Sequence, residues 1–100
     1  MNPNTESHQK DAYVYMVECR DGSLYTGWTS DAEQRVRVHN SGQGAKYTRS
    51  RRPVTLVYLE RIEEKSAAMK REAAIKKLKP SQKRQLIESE RNLVVSLKRG

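Results

Sequence analysis

Hydrophobic and polar positions alternate twice near the start of the chain, around an Asp21-Gly22 turn signal. Tyr13–Cys19 and Ser23–Trp28 therefore read as the two strands of a hairpin. Two registers are open. A two-residue loop puts Tyr15 and Tyr25 on opposite faces. A three-residue loop, Arg20-Asp21-Gly22, pairs Val17 with Tyr25 and Tyr15 with Gly27, and places Gly22 in the left-handed position of a bulged turn. The longer loop gives the coherent pattern and is the register expected. Val14, Met16, Leu24 and Trp28 then share a core face, and Tyr13, Tyr15, Val17 and Tyr25 share the other. Tyr15 and Tyr25 become diagonal neighbours about 7 Å apart.

The pattern then changes period. Ser30 followed by Glu33 fits a capping box, so a helix is expected from about Asp31 to Asn40–Gly42. Arg35 and His39, spaced i,i+4, share one of its faces. The segment "SGQGAKYTRSRRP" reads as a loop and "VTLVYLERI" as a third strand. Ser66–Lys79 has a helical period that Pro80 should stop, with an apolar stripe of Ala67, Ala68, Ala74, Ile75 and Leu78. Arg71 falls inside that stripe and is expected to snorkel. Ser81 to about Arg91 reads as a last helix. The expected fold is a small α+β domain: a three-stranded, largely antiparallel sheet flanked by helices, in the order β-β-α-β-α-α. Residues 1–12 read as a disordered lead-in, 13–91 as the domain and 92–100 as a tail.

Composition sharpens this picture. One hundred residues, 35% hydrophobic and without phenylalanine, support one modest core. Cys19 is the only cysteine, which excludes an internal disulfide and a multi-cysteine metal site and fits a cytoplasmic protein. Neither a membrane span nor a signal peptide is evident. The net charge of +8 points to a polyanionic partner, and its distribution supports that. Gln34–Leu59 contains no acid, yet carries Arg35, Arg37, Lys46, Arg49, Arg51 and Arg52. Lys65–Ile87 contains Glu72 alone among eight basic residues. Segregated charge of this kind suits phosphate binding better than a mixed, solvated surface does.

Tyr15, ten residues before Tyr25-Thr26-Gly27, then "EQRVRVH" with Arg35 and His39, then "REAAI" with Glu72, together resemble the GIY-YIG nuclease superfamily. The resemblance spans roughly Tyr13 to Ile87 and is nearest to small standalone bacterial members. The "HNSGQGAKYTRSRRP" segment is also similar to the catalytic subunit of a eukaryotic structure-specific endonuclease that cuts branched DNA. The resemblance implies a DNA phosphodiester hydrolase. It implies Tyr15 as base, Tyr25 orienting water or phosphate, Arg35 and His39 as active-site residues, and Glu72 holding one divalent metal, magnesium or manganese. Two departures stand out. The first motif reads Tyr13-Val14-Tyr15, without its glycine, and the asparagine many members carry after the glutamate has only the distant Asn92 to match it.

The residues suit that chemistry. A hard cation accepts one carboxylate with waters and phosphate, so Glu72 suffices in principle. It sits at the border of the apolar stripe, although with Lys76 it also makes an ordinary i,i+4 ion pair. Arg35 can fork onto a phosphate; alone it would be a solvated helix arginine. His39 can serve as base or orient a phosphate; alone it would be a helix-end histidine. A phenol with pKa about 10 is a weak base; either a metal and surrounding cations lower that value, or the phenol relays a proton from water. Arg37, Lys46, Tyr47, Thr48, Arg49, Arg51, Arg52 and Lys76 are expected to contact nucleic acid, through phosphates and base stacking. Recognition by structure rather than sequence is expected, on branched, nicked or single-stranded DNA, with a separate protein partner for targeting. The alternatives are a nucleic-acid-binding module with little catalysis and, on charge alone, an RNA-associated protein.

Overall fold

The computed structural model describes residues 11–94. The lead-in is therefore outside the described residues except for Asp11 and Ala12, and Ala12 already opens the first strand. The elements are β1 (Ala12–Glu18), β2 (Leu24–Thr29), α1 (Ala32–Ser41), α2 (Lys46–Arg49), β3 (Thr55–Ile62), α3 (Lys65–Lys76) and α4 (Pro80–Ile87). The three strands form one antiparallel sheet with β1 at its centre, in the order β2-β1-β3. This is the α+β architecture expected, with one addition: the four-residue helix α2 lies inside the basic loop.

The hairpin adopts the three-residue loop. Val17 faces Tyr25 and Tyr15 faces Gly27 across the ladder. Cys19 N–H donates to Ser23 C=O (2.8 Å) and Gly22 N–H to Cys19 C=O (2.9 Å). Gly22 takes φ +87°, a conformation that a side chain would strain. Register thus follows from one glycine at the αL position of the turn.

Both faces of β1 are cored. Ala12, Val14 and Met16 pack with Tyr58, Ala68 and Ile75 on one side. Tyr15, Val17 and Cys19 pack with Val54, Leu59 and Val94 on the other, beside α1. A central strand covered on both faces explains why "AYVYMV" is nearly continuous in apolar and aromatic residues.

Several expected boundaries move. Asp31, not Ser30, caps α1, because its carboxylate accepts the Gln34 N–H at 3.1 Å. Helix α3 ends at Lys76 rather than Lys79. Pro80 holds Lys79 in extended backbone (φ −70°, ψ 156°) and itself opens α4. Helix α4 stops at Ile87, before Arg91. The inner side of α3 is Ala68, Arg71, Glu72 and Ile75, continued by Leu78 just past its end, while Ala67 and Ala74 face solvent. Arg71 does not snorkel. Its Nε donates to Glu60 Oε1 at 3.1 Å, and the Tyr58 hydroxyl donates to the same oxygen at 2.6 Å.

Two asparagines tie the periphery to the sheet. Asn40 accepts from Val54 N–H (2.7 Å) and donates to Val54 C=O (3.1 Å). Asn92, buried, accepts from Leu59 N–H and donates to Val57 and Ile87 carbonyls. Asn92, Leu93 and Val94 therefore pack into the second core, although the pattern assigned them to the tail. Among the described residues no helix is long and apolar enough to cross a membrane.

Candidate active site

The hairpin register puts the Tyr15 and Tyr25 side chains on one face, and α1 lies against that face through Ala32 and Val36. The i,i+4 spacing then brings Arg35 and His39 to the two phenols. Tyr15 is 2% exposed, and its hydroxyl lies 2.8 Å from His39 Nε2. A Cβ on Gly27 would come to 2.5 Å of that hydroxyl, so the phenol needs a glycine across from it. Gly44 gives the same clearance to the His39 ring.

Thr48 Oγ1 lies 2.9 Å from both Ala45 C=O and His39 Nδ1. With its hydroxyl proton directed to Ala45, Thr48 accepts from Nδ1–H, and Nε2 then accepts from the Tyr15 hydroxyl. That tautomer gives a directed chain, Tyr15 O–H to His39 to Thr48 to Ala45, with His39 and Thr48 both buried.

Electrostatics keep this chain neutral. Burial, then the Arg35 charge, holds His39 below its ordinary 6.5. Burial pushes the Tyr15 phenol well above its ordinary range; Tyr25 and Glu72 add to the rise and Arg35 opposes it. In the protein itself desolvation outweighs Arg35, so the protein's own cations do not lower the phenol, which favours the relay among the two expected routes. His39 is buried, and both its ring nitrogens are engaged, Nε2 with Tyr15 and Nδ1 with Thr48.

Arg35 acts on both groups, yet its buried Nε has no hydrogen-bond partner. A buried, unpaired guanidinium N–H is a donor awaiting an acceptor. Tyr25 packs edge-on to the His39 ring (centroids 5.3 Å) and stacks with Tyr47 (6.1 Å).

Glu72 arrives from the other layer. Helix α3 packs beneath the opposite face, but Lys76 Nζ reaches 5.9 Å from the Tyr25 ring centre and the Glu72 charge acts on Tyr15. The C-terminal half of α3 thus wraps the edge strand β2. The Glu72 side chain is 19% exposed and its recorded partner is Lys76 Nζ at 3.2 Å. Among the described residues no group of three or more His, Cys, Asp or Glu is assembled. The donors therefore fit one hard cation that uses a single carboxylate and completes its shell with water and substrate oxygens.

The expected nucleic-acid contacts divide. Tyr47 is exposed beside Tyr25, with Arg51 stacked on it at 3.9 Å; Arg51 also pairs with Asp21. Tyr47 and Lys76 line a cleft of about 220 Å³ with Leu24, Tyr25, Thr26 and Lys83. Lys83 was missed because nothing but its place in a basic run marks it. Lys46 is exposed on α2 and Arg37 on α1, two residues and so more than half a turn from Arg35. Arg49 and Arg52 line a separate cleft. Thr48 must be withdrawn as a contact: it is fully buried and orients His39. No periodic signal distinguishes it from its solvent-facing neighbours.

The model of the GIY-YIG catalytic domain matches residues 11–85. A UPF0213 protein of Clostridium perfringens is 58% identical over 77% of this chain and 83% of its own length. One from Haloquadratum walsbyi is 58% identical over 76% of this chain and 85% of its own. The solution structure of a UPF0213 protein from Bacillus halodurans superposes with TM-score 0.53 at 44% identity, covering 81% of this chain and 86% of that one. A protein of E. faecalis gives TM-score 0.56 at 49% identity, covering 79% and 84%. The chain belongs to the GIY-YIG catalytic domain family, a family of nucleases.

Proposed function

We propose that this chain is a metal-dependent DNA endonuclease that selects substrate by structure rather than sequence. One observation carries the reading: a buried tyrosine hydroxyl and a buried imidazole share a hydrogen bond within the field of Arg35, whose buried Nε has no partner. A purely structural tyrosine needs a hydrogen-bond partner, but not an unpaired guanidinium N–H acting on it.

In this reading Arg35 binds a non-bridging oxygen of the scissile phosphate and stabilises the charge that builds there. Tyr15 takes a proton from the attacking water while passing its own to His39 Nε2; as the new P–O bond forms, the P–O bond to the leaving oxygen breaks and that oxygen takes a proton from solvent. The phenol never has to rest as a phenolate, which suits its raised pKa. Thr48 keeps Nδ1–H engaged, so Nε2 stays the receiving atom. Tyr25 holds water or phosphate at the mouth of the site, and Tyr47 offers a face for an unpaired base. Glu72 would hold a divalent cation, magnesium or manganese, which would supply Lewis-acid polarisation of the phosphate. Lys76 and Lys83 line the adjoining cleft and offer charge to the DNA backbone.

The test is cleavage of forked, nicked and single-stranded DNA with magnesium or manganese and with chelator. Metal-dependent cleavage lost in Tyr15→Phe and Glu72→Gln supports the reading. Cleavage that survives both substitutions rejects these residues. Salt-sensitive binding without cleavage would give the binding-module reading instead.

A further inference from the structure

A second cleft, away from Tyr15, has a volume of about 450 Å³ and is lined by Arg20, Asn40, Arg49, Ser50, Arg52 and Pro53. Three guanidinium-bearing residues meet there and no acid lines it. Arg51, Arg61, Arg71, Arg84 and Arg91 each pair with a carboxylate. Among the described residues the arginines without such a partner are Arg35 and Arg37 on α1 and all three of this cleft, Arg20, Arg49 and Arg52. Like charges held together without a counter-charge repel one another, and a bound anion removes that cost.

The cleft is also partly built. Arg52 Nε donates to Arg49 C=O (3.0 Å) and Nη1 to Asn40 C=O (3.2 Å). The guanidinium is thereby fixed in place and keeps Nη2 for a ligand. Arg20 is brought in by the hairpin, whose Arg20 N–H donates to Arg51 C=O at 2.9 Å.

Its position relative to the first site follows from α2. Tyr47 stacks on Tyr25, Thr48 points inward to His39, and Arg49 enters the cleft. Residues two apart on a helix point about 200° apart. The two anion-attracting surfaces therefore stand back to back across α2, and one extended strand lying at Tyr15 does not fill both.

We propose that the Arg20–Arg49–Arg52 cleft is a second phosphate site, which holds a backbone segment of the nucleic acid other than the strand at Tyr15. It accounts for selection by structure: a fork presents two backbone segments at an angle and a single strand presents one. This rests on the nucleic-acid reading of the Tyr15 surface, but not on cleavage there.

The experiment measures binding in chelator, as the salt dependence of Kd, for forked DNA and for a short single strand. Arg20→Gln/Arg49→Gln is the variant of choice, since neither guanidinium makes a recorded hydrogen bond and Arg52, which does, is left intact. Each phosphate contact contributes about 0.9 to the slope on duplex DNA. The double variant should lower the fork slope by about 2 and leave the single-strand slope unchanged. Equal loss on both DNAs, or loss on neither, overturns the proposal, as does a wild-type protein that binds no DNA. Inorganic phosphate is the second probe, followed through the arginine Nε–H resonances. Signals that saturate with phosphate and move no further with forked DNA would give the cleft to a free anion and also overturn it. A wild type that shows the fork-specific slope yet cuts nothing would sink the nuclease reading and leave this one standing. One that cuts but shows no such slope would do the reverse.

Discussion

Two buried tyrosines, one on each face of the sheet, show what separates packing from chemistry. Tyr58 is fully buried, and burial followed by its bond to Glu60 pushes its phenol up to about 12. Its hydroxyl ends in a closed arrangement: Glu60 accepts from both Tyr58 and Arg71, and Arg91 lies 3.9 Å from the other oxygen. Tyr15 is as buried and its phenol is raised by the same cause. Its hydroxyl, however, ends on a neutral imidazole, and the neighbouring Arg35 Nε is unpaired. Burial and pKa shift do not tell the two apart. The difference is an acceptor able to gain a proton and a donor still lacking an acceptor.

Removing each hydroxyl should break the symmetry most sharply. Tyr15→Phe should lower kcat/KM by about 10²–10⁴, the usual contribution of a positioned acid–base group. Tyr58→Phe should leave the rate near wild type and cost about 1.5–3 kcal/mol of stability, as expected for a hydrogen bond to a charged group. Paired cleavage and urea-unfolding measurements check both; a Tyr58→Phe enzyme that folds and is as slow as Tyr15→Phe would erase the distinction. Next in size, Arg35→Ala should cost about 10²–10³ in kcat, with little loss of stability, because its Nε bonds nothing in the free protein.

The pH profile sharpens the comparison further. Activity requires His39 unprotonated, so it should fall as pH drops through a pKa below 6.5. His39→Gln should be slower and lose that acid limb, and a limb unchanged in the variant assigns it to another group. The smallest effect belongs to the supporting residue. Thr48→Val leaves His39 Nδ1–H without an acceptor at nearly constant volume, at a cost of about 1–3 kcal/mol, partly as a lower kcat. Thr48→Ser should restore both, and failure to do so would show that the methyl group, not the hydroxyl, matters.

The parts of this design that are legible in sequence are those with a period or a stop signal. The Tyr15–Gly27 register follows from Gly22 and the alternation around it, and the Arg35/His39 pairing from i,i+4 spacing. Motif order led to Glu72, whereas hydrophobicity alone placed Ala67 and Ala74 inward in error. The wheel does not know that Arg71 finds Glu60 on β3, which lets a charged residue occupy the inner face. Thr48, Asn40 and Asn92 were illegible for a related reason. Each works through side-chain hydrogen bonds that reach another element, one for Thr48 to His39, two for Asn40 to Val54 and several for Asn92, and such bonds leave no periodic trace. The short helix α2 also escaped notice, because four residues are too few to show a period.

The account turns on one proton, which nitrogen-15 NMR of the His39 ring locates directly. At neutral pH the account predicts a neutral ring with Nδ1 protonated and Nε2 bare, titrating below 6.5. A ring protonated on Nε2, or already cationic at neutral pH, would leave Tyr15 without a proton acceptor and contradict the mechanism.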